Sequence, residues 1–220
     1  MQSRLFIAVI VIAWLVVGTG CDAVNSVRQK LPIPPTSGEI LFVDDFSDSE
    51  SGWQTWSEGE SVIAYHEGGL RFIINEPHYD YWSRPGRWYS DVSIETLVTL
   101  KNGSVDNDFG LICRFQDDGN FYMFLASSDG YAGIVKVQDG NYQVISGASL
   151  EYKPEVARGE AANLLRAECA GSELTFYVND MKVAVAEDEA FSEGDVGLIA
   201  GTYENPGVDI LFDHFVALQP

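Results

Sequence analysis

Basic residues are scarce in this sequence. Its 220 residues include 13 Lys and Arg against 33 Asp and Glu, and the formal net charge is −20 at pH 7. A chain of this charge repels the phosphates of nucleic acids, so we expect no nucleic-acid partner. The charge favours cations or neutral ligands such as sugars, although a solvated acidic surface is the ordinary explanation.

The common catalytic motifs are also missing. The sequence contains no Gly-x-Ser-x-Gly elbow, His-Glu-x-x-His pair, phosphate-binding P-loop or Cys-x-x-Cys motif. Its histidines, His66, His78 and His214, are far apart in the sequence. We therefore expect surface or hydrogen-bonded histidines rather than metal ligands.

Helical periodicity is absent, and the pattern is that of β-strands. Four short runs rich in aromatic and β-branched residues, 109–115, 121–126, 131–137 and 142–145, are separated by three Asp-Gly steps. Asp-Gly supplies the positive φ of tight hairpin turns, so this region predicts a β-meander. Similar short runs along the chain predict an all-β sandwich or barrel. The only helical feature we expect is one short turn near 155–158.

The N-terminus has the features of an export signal. Arg4 precedes an apolar run over residues 5–17, and Gly18-Thr19-Gly20-Cys21 follows. This run is short for a membrane span and predicts a signal peptide over residues 1–20. The segment resembles bacterial lipoprotein signals, which implies cleavage before Cys21 and lipidation of Cys21.

The lipoprotein pattern is imperfect, because Gly18 stands where Leu is usual. An ordinary signal peptide or an uncleaved anchor are the alternatives, and all three place the rest of the chain outside the cytoplasm. The Pro-rich residues 21–38 predict a stiff tether, and residues 39–220 predict the folded domain. We expect this domain to be held by lipid on the extracytoplasmic side of a membrane in the cell envelope.

Several motifs of the domain resemble a known fold family. They are Asp45-Phe46 with Gly52-Trp53, residues 109–115 with 120–122, residues 174–179, residues 194–198 and residues 209–213. Together they are similar to concanavalin A-like lectin and glucanase jelly rolls, especially the 3-keto-disaccharide hydrolase-like and laminin G-like branches. The resemblance covers residues 41–218 and implies an antiparallel β-sandwich.

The resemblance also has implications for ions and catalysis. Domains of this kind often hold a structural Ca²⁺ where the first and last strands meet, which points to Asp45 and Asp213, although solvated turn carboxylates are the simpler alternative. Asp106, Asp108, Asp117 and Asp118 are expected mainly to accept hydrogen bonds from turn amides. The Glu-x-Asp-x-x-Glu motif of retaining β-glucanases is absent, which disfavours that route of glycoside cleavage. We expect no required cofactor.

The best ligand candidates lie in an aromatic patch between residues 77 and 89. Sugar rings stack their C–H faces on aromatic rings, and arginines can donate hydrogen bonds to hydroxyls. The alternative is that these rings pack into the mouth of the sandwich. The candidate residues are Tyr79, Tyr81, Trp82, Arg84, Arg87 and Trp88.

Cys113 and Cys169 are the only other cysteines besides Cys21. An exported chain with an even pair favours a disulfide between them, and two buried free thiols are the alternative.

From the sequence we expect a non-catalytic module that binds a carbohydrate or another cell-surface ligand. The alternatives are a divergent hydrolase of glycosides or 3-keto-disaccharides, suggested by the resemblance alone, and a structural module that binds an envelope protein.

Overall fold

Strands account for all the regular structure described in this chain. The computed structural model describes residues 38–220. The predicted signal peptide, the lipidation site Cys21 and nearly all of the predicted tether lie outside the described residues. Within residues 38–220 there is no helix that is long and apolar enough to cross a membrane.

Seventeen strands follow one another in this region. They are β1 (Ile40–Asp44), β2 (Trp56–Glu58), β3 (Ser61–His66), β4 (Gly69–Ile74), β5 (Asp80–Ser83), β6 (Trp88–Tyr89), β7 (Val92–Asn102), β8 (Asn107–Asp117), β9 (Asn120–Ala126), β10 (Tyr131–Gln138), β11 (Asn141–Val144), β12 (Glu151–Tyr152), β13 (Asn163–Ala170), β14 (Glu173–Val178), β15 (Met181–Glu187), β16 (Gly194–Thr202) and β17 (Val208–Leu218).

The strands form two antiparallel sheets. The first sheet has the order β15-β14-β13-β7-β17-β4-β3-β2, with β1 paired to β17. The second sheet has the order β11-β10-β9-β8-β16-β5, with β12 paired to β10 and β6 paired to β16. The first and last strands of the domain therefore lie side by side, as the resemblance implies.

The main core lies between the two sheets. Alternate side chains of each long strand point into it, as the twofold period of a strand requires. On β7 these are Val92, Ile94, Val98 and Leu100, and on β8 they include Phe109 and Leu111. Burial of these rings and branched chains is the main favourable contribution to folding.

The meander β8–β11 was predicted correctly, but its three Asp-Gly steps do not form the same turn. Asp139 and Gly140 both have positive φ, as the hairpin turn requires. Neither Asp118 nor Gly119 has a positive φ. The side chain of Asp117 closes that turn instead, because its Oδ1 accepts the backbone N–H of Gly119 at 2.8 Å.

The short helical turn predicted near 155–158 does not form. The amide side chain of Asn163 forms hydrogen bonds with both backbone groups of Ala157. Its Oδ1 accepts the N–H and its Nδ2 donates to the carbonyl, each at 2.8 Å. Since these groups are committed to Asn163, they are not available to a helical turn. Val156 is buried in the main core.

Candidate functional site

The outer face of the second sheet, which points away from the main core, is apolar. An antiparallel sheet usually has one solvated face, so an apolar cluster here calls for an explanation. Trp82, Val144 and Leu150 pack over it and leave its members 6% exposed or less. Those members are Ile112, Phe115, Phe121, Met123, Leu125, Val135, Val137 and Ile199.

A groove of about 340 Å³, which we call the outer groove, opens on this face. Met123, Leu125 and Val135 form its apolar floor. Tyr142, Val144 and Leu150 line it beside the β11 edge, while the polar residues His78, Asp80, Asp108, Thr202 and Tyr203 line it beside β5 and β16. The groove thus combines an apolar surface with a polar end, which is the usual composition of a small-ligand site.

Two carboxyl groups meet at the polar end because of strand register. Gly201 in β16 pairs with Asp80 in β5 on one side and with Asp108 in β8 on the other. A Cβ atom added to Gly201 would overlap Asp80 Oδ1 and lie 2.7 Å from Asp108 Oδ1. The absence of a side chain at Gly201 therefore allows the two carboxyl groups to approach each other.

Asp108 is the more deeply buried of the two. Its residue is 4% exposed, and its Oδ1 has no hydrogen-bond partner among the described residues. Burial raises the pKa of Asp108 well above its usual value, the neighbouring Asp80 raises it further, and a hydrogen bond from Tyr203 opposes the shift.

Burial also raises the pKa of Asp80, to about 6. Two neighbouring carboxyl groups, one buried and one half-buried, disfavour the doubly ionised state, so the pair retains a proton near neutral pH. The pKa values of Tyr203 and of the half-exposed Tyr142 are raised too, mainly by partial desolvation at the groove and then by the charges of the same two aspartates.

The residues of the predicted aromatic patch do not form one site, because the structure places them in different parts of the domain. The ring of Tyr81 stacks with that of Tyr79 at a centroid distance of 5.8 Å and packs against the tilted ring of Trp56 at 4.5 Å. These three rings line a second groove of about 640 Å³, which Trp82 and Asp80 also line. Asp80 therefore borders both grooves.

Trp82 has its main contacts on the outer face. Its ring packs against Phe115 and Phe121 at centroid distances of 6.2 and 5.5 Å. It is thus partly a packing residue, on the outer face and not in the mouth of the sandwich, and partly a wall of the second groove.

The remaining candidates of the patch lie elsewhere. Arg84 forms an ion pair with Asp195 at 3.1 Å, and its guanidinium lies over Phe115. The guanidinium of Arg87 lies over Phe42. Trp88 is 55% exposed and pairs with Asp195 near the start of β16, whereas Asp80 pairs near its end. The structure therefore does not bring these three residues together with Tyr79 and Tyr81.

Asp45 and Asp213 lie where β1 meets β17. Burial raises the pKa of Asp213, with a smaller contribution from the charge of Asp45, so the two carboxylates are neighbours. His214 Nδ1 lies 2.5 Å from Asp213 Oδ1, and Asp45 Oδ1 accepts the N–H of Ser47. No group of three or more His, Cys, Asp or Glu that could hold a metal ion occurs in residues 38–220. Ca²⁺ takes six to eight oxygen ligands, so a structural Ca²⁺ at Asp45 and Asp213 would also need backbone carbonyls or water, and it stays a prediction.

Cys113 and Cys169 are joined in a disulfide in the structure. Cys113 lies in β8 of the second sheet and Cys169 in β13 of the first, so the bond crosses the main core.

Sequence reasoning missed the acidic pair. It treated Asp108 as a turn carboxylate, but Asp108 is a buried residue of β8, and it gave Asp80 no role. Strand alternation could have indicated their orientation, because every second residue of a strand faces the same side. Asp108 shares a side with Gly110 and Ile112, which face outward, and Asp80 shares a side with Trp82, which also faces outward. Their convergence depends on β16 lying between β8 and β5, which no local pattern reveals.

Comparison with known proteins identifies the fold. No protein-family model matches the chain, and no curated protein matches its sequence. Among solved structures, the carbohydrate-binding module CBM66 from Bacillus subtilis is 22% identical with a TM-score of 0.61, covering 76% of this chain and 95% of that one. The domain has a concanavalin A-like jelly-roll fold.

Two further structures support the same assignment. A protein of unknown function with a galectin-like fold from Bacillus subtilis is 10% identical, with a TM-score of 0.61 over 84% of this chain and 97% of that one. A β-glucanase from Bacillus licheniformis is 12% identical, with a TM-score of 0.60 over 84% of this chain and all of that one. The predicted all-β sandwich is confirmed, and at these identities the likeness concerns the fold alone.

Proposed function

We propose that this chain is a lipid-anchored, extracytoplasmic module that binds a carbohydrate in the outer groove without cleaving it. The observation that carries the proposal is the buried carboxyl oxygen of Asp108. It lacks a hydrogen-bond partner among residues 38–220, and its side chain lines an apolar groove. A buried polar atom without a partner costs about 1–3 kcal/mol, which a hydroxyl donor from a sugar would offset.

The shape and lining of the outer groove support a sugar as ligand. A sugar ring has apolar C–H faces and polar edges, and the groove has the apolar floor Met123, Leu125 and Val135 next to the carboxyl pair. Tyr142 is 55% exposed and stands at the groove with its ring available for stacking. The likeness to CBM66, a carbohydrate-binding module by name, points in the same direction.

A glycan array probed with the full-length chain in mild detergent tests the proposal. We expect at least one class of glycan to bind, and Tyr142→Ala to weaken that binding about tenfold or more, because stacking area is lost. Trp88→Ala is the matched comparison, since Trp88 is equally exposed but lies towards the other end of β16. Loss of binding in Trp88→Ala but not in Tyr142→Ala would move the site from the outer groove to the surface around Trp88.

The anchor has a separate test. In cells fed a labelled fatty acid, the wild-type chain is expected to incorporate the label and Cys21→Ser to lose it. Equal labelling of both would contradict lipidation of Cys21.

A second candidate function is acid–base hydrolysis of a glycoside by Asp80 and Asp108. The observation that favours it is the facing pair of carboxyl groups with raised pKa values. In such a pair the protonated group donates its proton to the leaving oxygen, while the ionised one attacks the sugar or activates water.

Turnover of aryl glycosides and 3-keto-disaccharides separates the two functions. A hydrolase requires measurable turnover that Asp80→Asn and Asp108→Asn both abolish, whereas Asp139→Asn, in an exposed hairpin turn, retains it. Binding without turnover supports the module.

A further inference from the structure

The charge inside the outer groove is not compensated by a basic side chain. The residues that line it within the described chain include two carboxyl groups but neither Lys nor Arg. His78 also lines the groove, but its side chain is 60% exposed and its Nε2 lies 3.7 Å from Glu204 Oε1. Among the causes of the raised pKa values of Asp80 and Asp108 there is no neighbouring cation.

The register of β16 holds these carboxyl groups together. Gly201 lies between Asp80 and Asp108, and no other residue type fits there without displacing them. Asp108 is 4% exposed, with Oδ1 unpartnered among residues 38–220. A fold that buries a carboxyl group without a cation gains most from a ligand that supplies both donors and positive charge.

We propose that the outer groove selects sugars that carry a free ammonium group, such as 2-amino-2-deoxyhexoses, over neutral and N-acetylated sugars. This inference rests on the proposed function and names the ligand class of the same site.

The chemistry of the ammonium group explains the selectivity. It offers three hydrogen-bond donors and a positive charge, so it can bridge Asp80 and Asp108 while the C–H face of the sugar lies on the apolar floor. A hydroxyl at the same position supplies a donor but leaves the charge of the pair uncompensated. An N-acetyl group removes the charge and adds a methyl group at the polar end.

Binding should also release a proton. The titratable groups that face the site are Asp80 from β5, Asp108 from β8, Tyr142 from β11, Tyr203 after β16 and His78 before β5. Since Asp80 titrates at about 6 and the pKa of Asp108 is also raised, the free pair retains a proton near pH 6. An ammonium group between the carboxyl groups stabilises their ionised forms, and the proton leaves.

Isothermal titration of the full-length chain with three tetrasaccharides tests the inference. The probes are β-1,4-linked glucosamine, β-1,4-linked N-acetylglucosamine and β-1,4-linked glucose. We expect the glucosamine tetramer to bind about tenfold or more tightly than either of the others. Its heat of binding at pH 6 should vary with the ionisation enthalpy of the buffer, which reports the released proton.

Matched variants distinguish specific binding in the outer groove from non-specific attraction of a cationic sugar to an acidic protein. Asp80→Asn and Asp108→Asn are expected to remove the preference and the proton release, while Asp139→Asn, which removes the same charge from an exposed turn, keeps both. Melting curves confirm that each variant is folded.

The inference is overturned if the glucosamine tetramer has no advantage, if none of the three binds, or if Asp139→Asn weakens binding as much as the groove variants. A neutral glycan that binds in the groove as tightly as the glucosamine tetramer would overturn the inference alone, whereas no binding on any array overturns the proposed function as well.

Discussion

At the scale of single residues, the informative feature is a polar group in an apolar place. Asp108 is buried beside Asp80, and burial is the first cause of the raised pKa of each. A carboxyl group in this position lowers the stability of the fold whenever it is ionised. Its presence among apolar side chains is therefore easier to explain by a ligand than by folding.

We predict that the pair makes stability depend on pH. A carboxyl group whose folded pKa is raised stabilises the fold fully below its unfolded pKa and loses that contribution as pH rises through the folded value. The free energy of unfolding should therefore fall from about pH 4 through about pH 6 as Asp80 ionises, and continue to fall at higher pH as Asp108 ionises.

Asp108→Asn should accordingly melt higher than the wild type at pH 8, by roughly 2–4 °C for each kcal/mol gained. The amide also offers an N–H to the carboxylate of Asp80. The advantage should shrink towards pH 4, and differential scanning calorimetry at pH 4, 6 and 8 measures it. Asp139→Asn serves as the control, and an equal advantage at all three pH values would contradict the prediction.

At the scale of elements, β9 and β16 build the site. Both faces of β9 are buried: Tyr122 and Phe124 point into the main core, while Phe121, Met123 and Leu125 form part of the outer face. β16 lies between β8 and β5 and brings their aspartates within reach of each other. The groove therefore depends on the order of strands as much as on the residues in them.

Gly201→Ala should disrupt the polar end of the groove. Its Cβ would overlap Asp80 Oδ1 and crowd Asp108 Oδ1, so we expect a loss of about 1–3 kcal/mol in the free energy of unfolding, together with weaker ligand binding. Urea unfolding and glycan titration measure the two effects.

Gly147→Ala is the matched control for Gly201→Ala. Gly147 lies in a loop without positive φ, and the nearest atom to an added Cβ is the flexible Oε1 of Glu151 at 3.2 Å. Similar losses in both variants would show that the effect is not specific to the carboxyl pair.

At the scale of the whole molecule, the two sheets are held together by the main core and by one covalent bond. The disulfide between Cys113 and Cys169 links β8 to β13 across the core and spans 56 positions in the sequence. Both cysteines are fully buried. The bond therefore constrains the unfolded chain over about a quarter of its length.

Replacing both cysteines by alanine should lower the free energy of unfolding by about 4 kcal/mol, as loop-closure entropy predicts for a closed loop of this length. Guanidinium unfolding of the wild type and of the double variant measures the difference. Adding a reductant to the wild type should bring its stability towards that of the variant and leave the variant unchanged. If reductant has no effect on unfolding of the wild type, the two thiols are not joined.

Much of the architecture could be predicted from local sequence. Alternation of apolar residues over 92–100 and 109–115, with turn residues between the runs, gave the strands, because side chains of a strand alternate between its faces whatever its neighbours are. The Asn179–Asp180 turn, where both residues have positive φ, likewise follows from residue type. The first Asp-Gly turn differed because a side chain, Asp117, satisfied the backbone in another way.

The site could not be predicted in this way. Asp80 and Asp108 are 28 positions apart and meet only because a third strand pairs with both and places Gly201, 93 positions after Asp108, between them. Amino-acid sequence alone determined the strand content and the even pair of cysteines, since these depend on short-range alternation and residue type, and the jelly-roll class was implied by the resemblance of its motifs to a known fold family. Only the tertiary structure decided which polar groups share one groove and how deeply they are buried, because non-local pairing sets both the distance between two carboxyl groups and their separation from water.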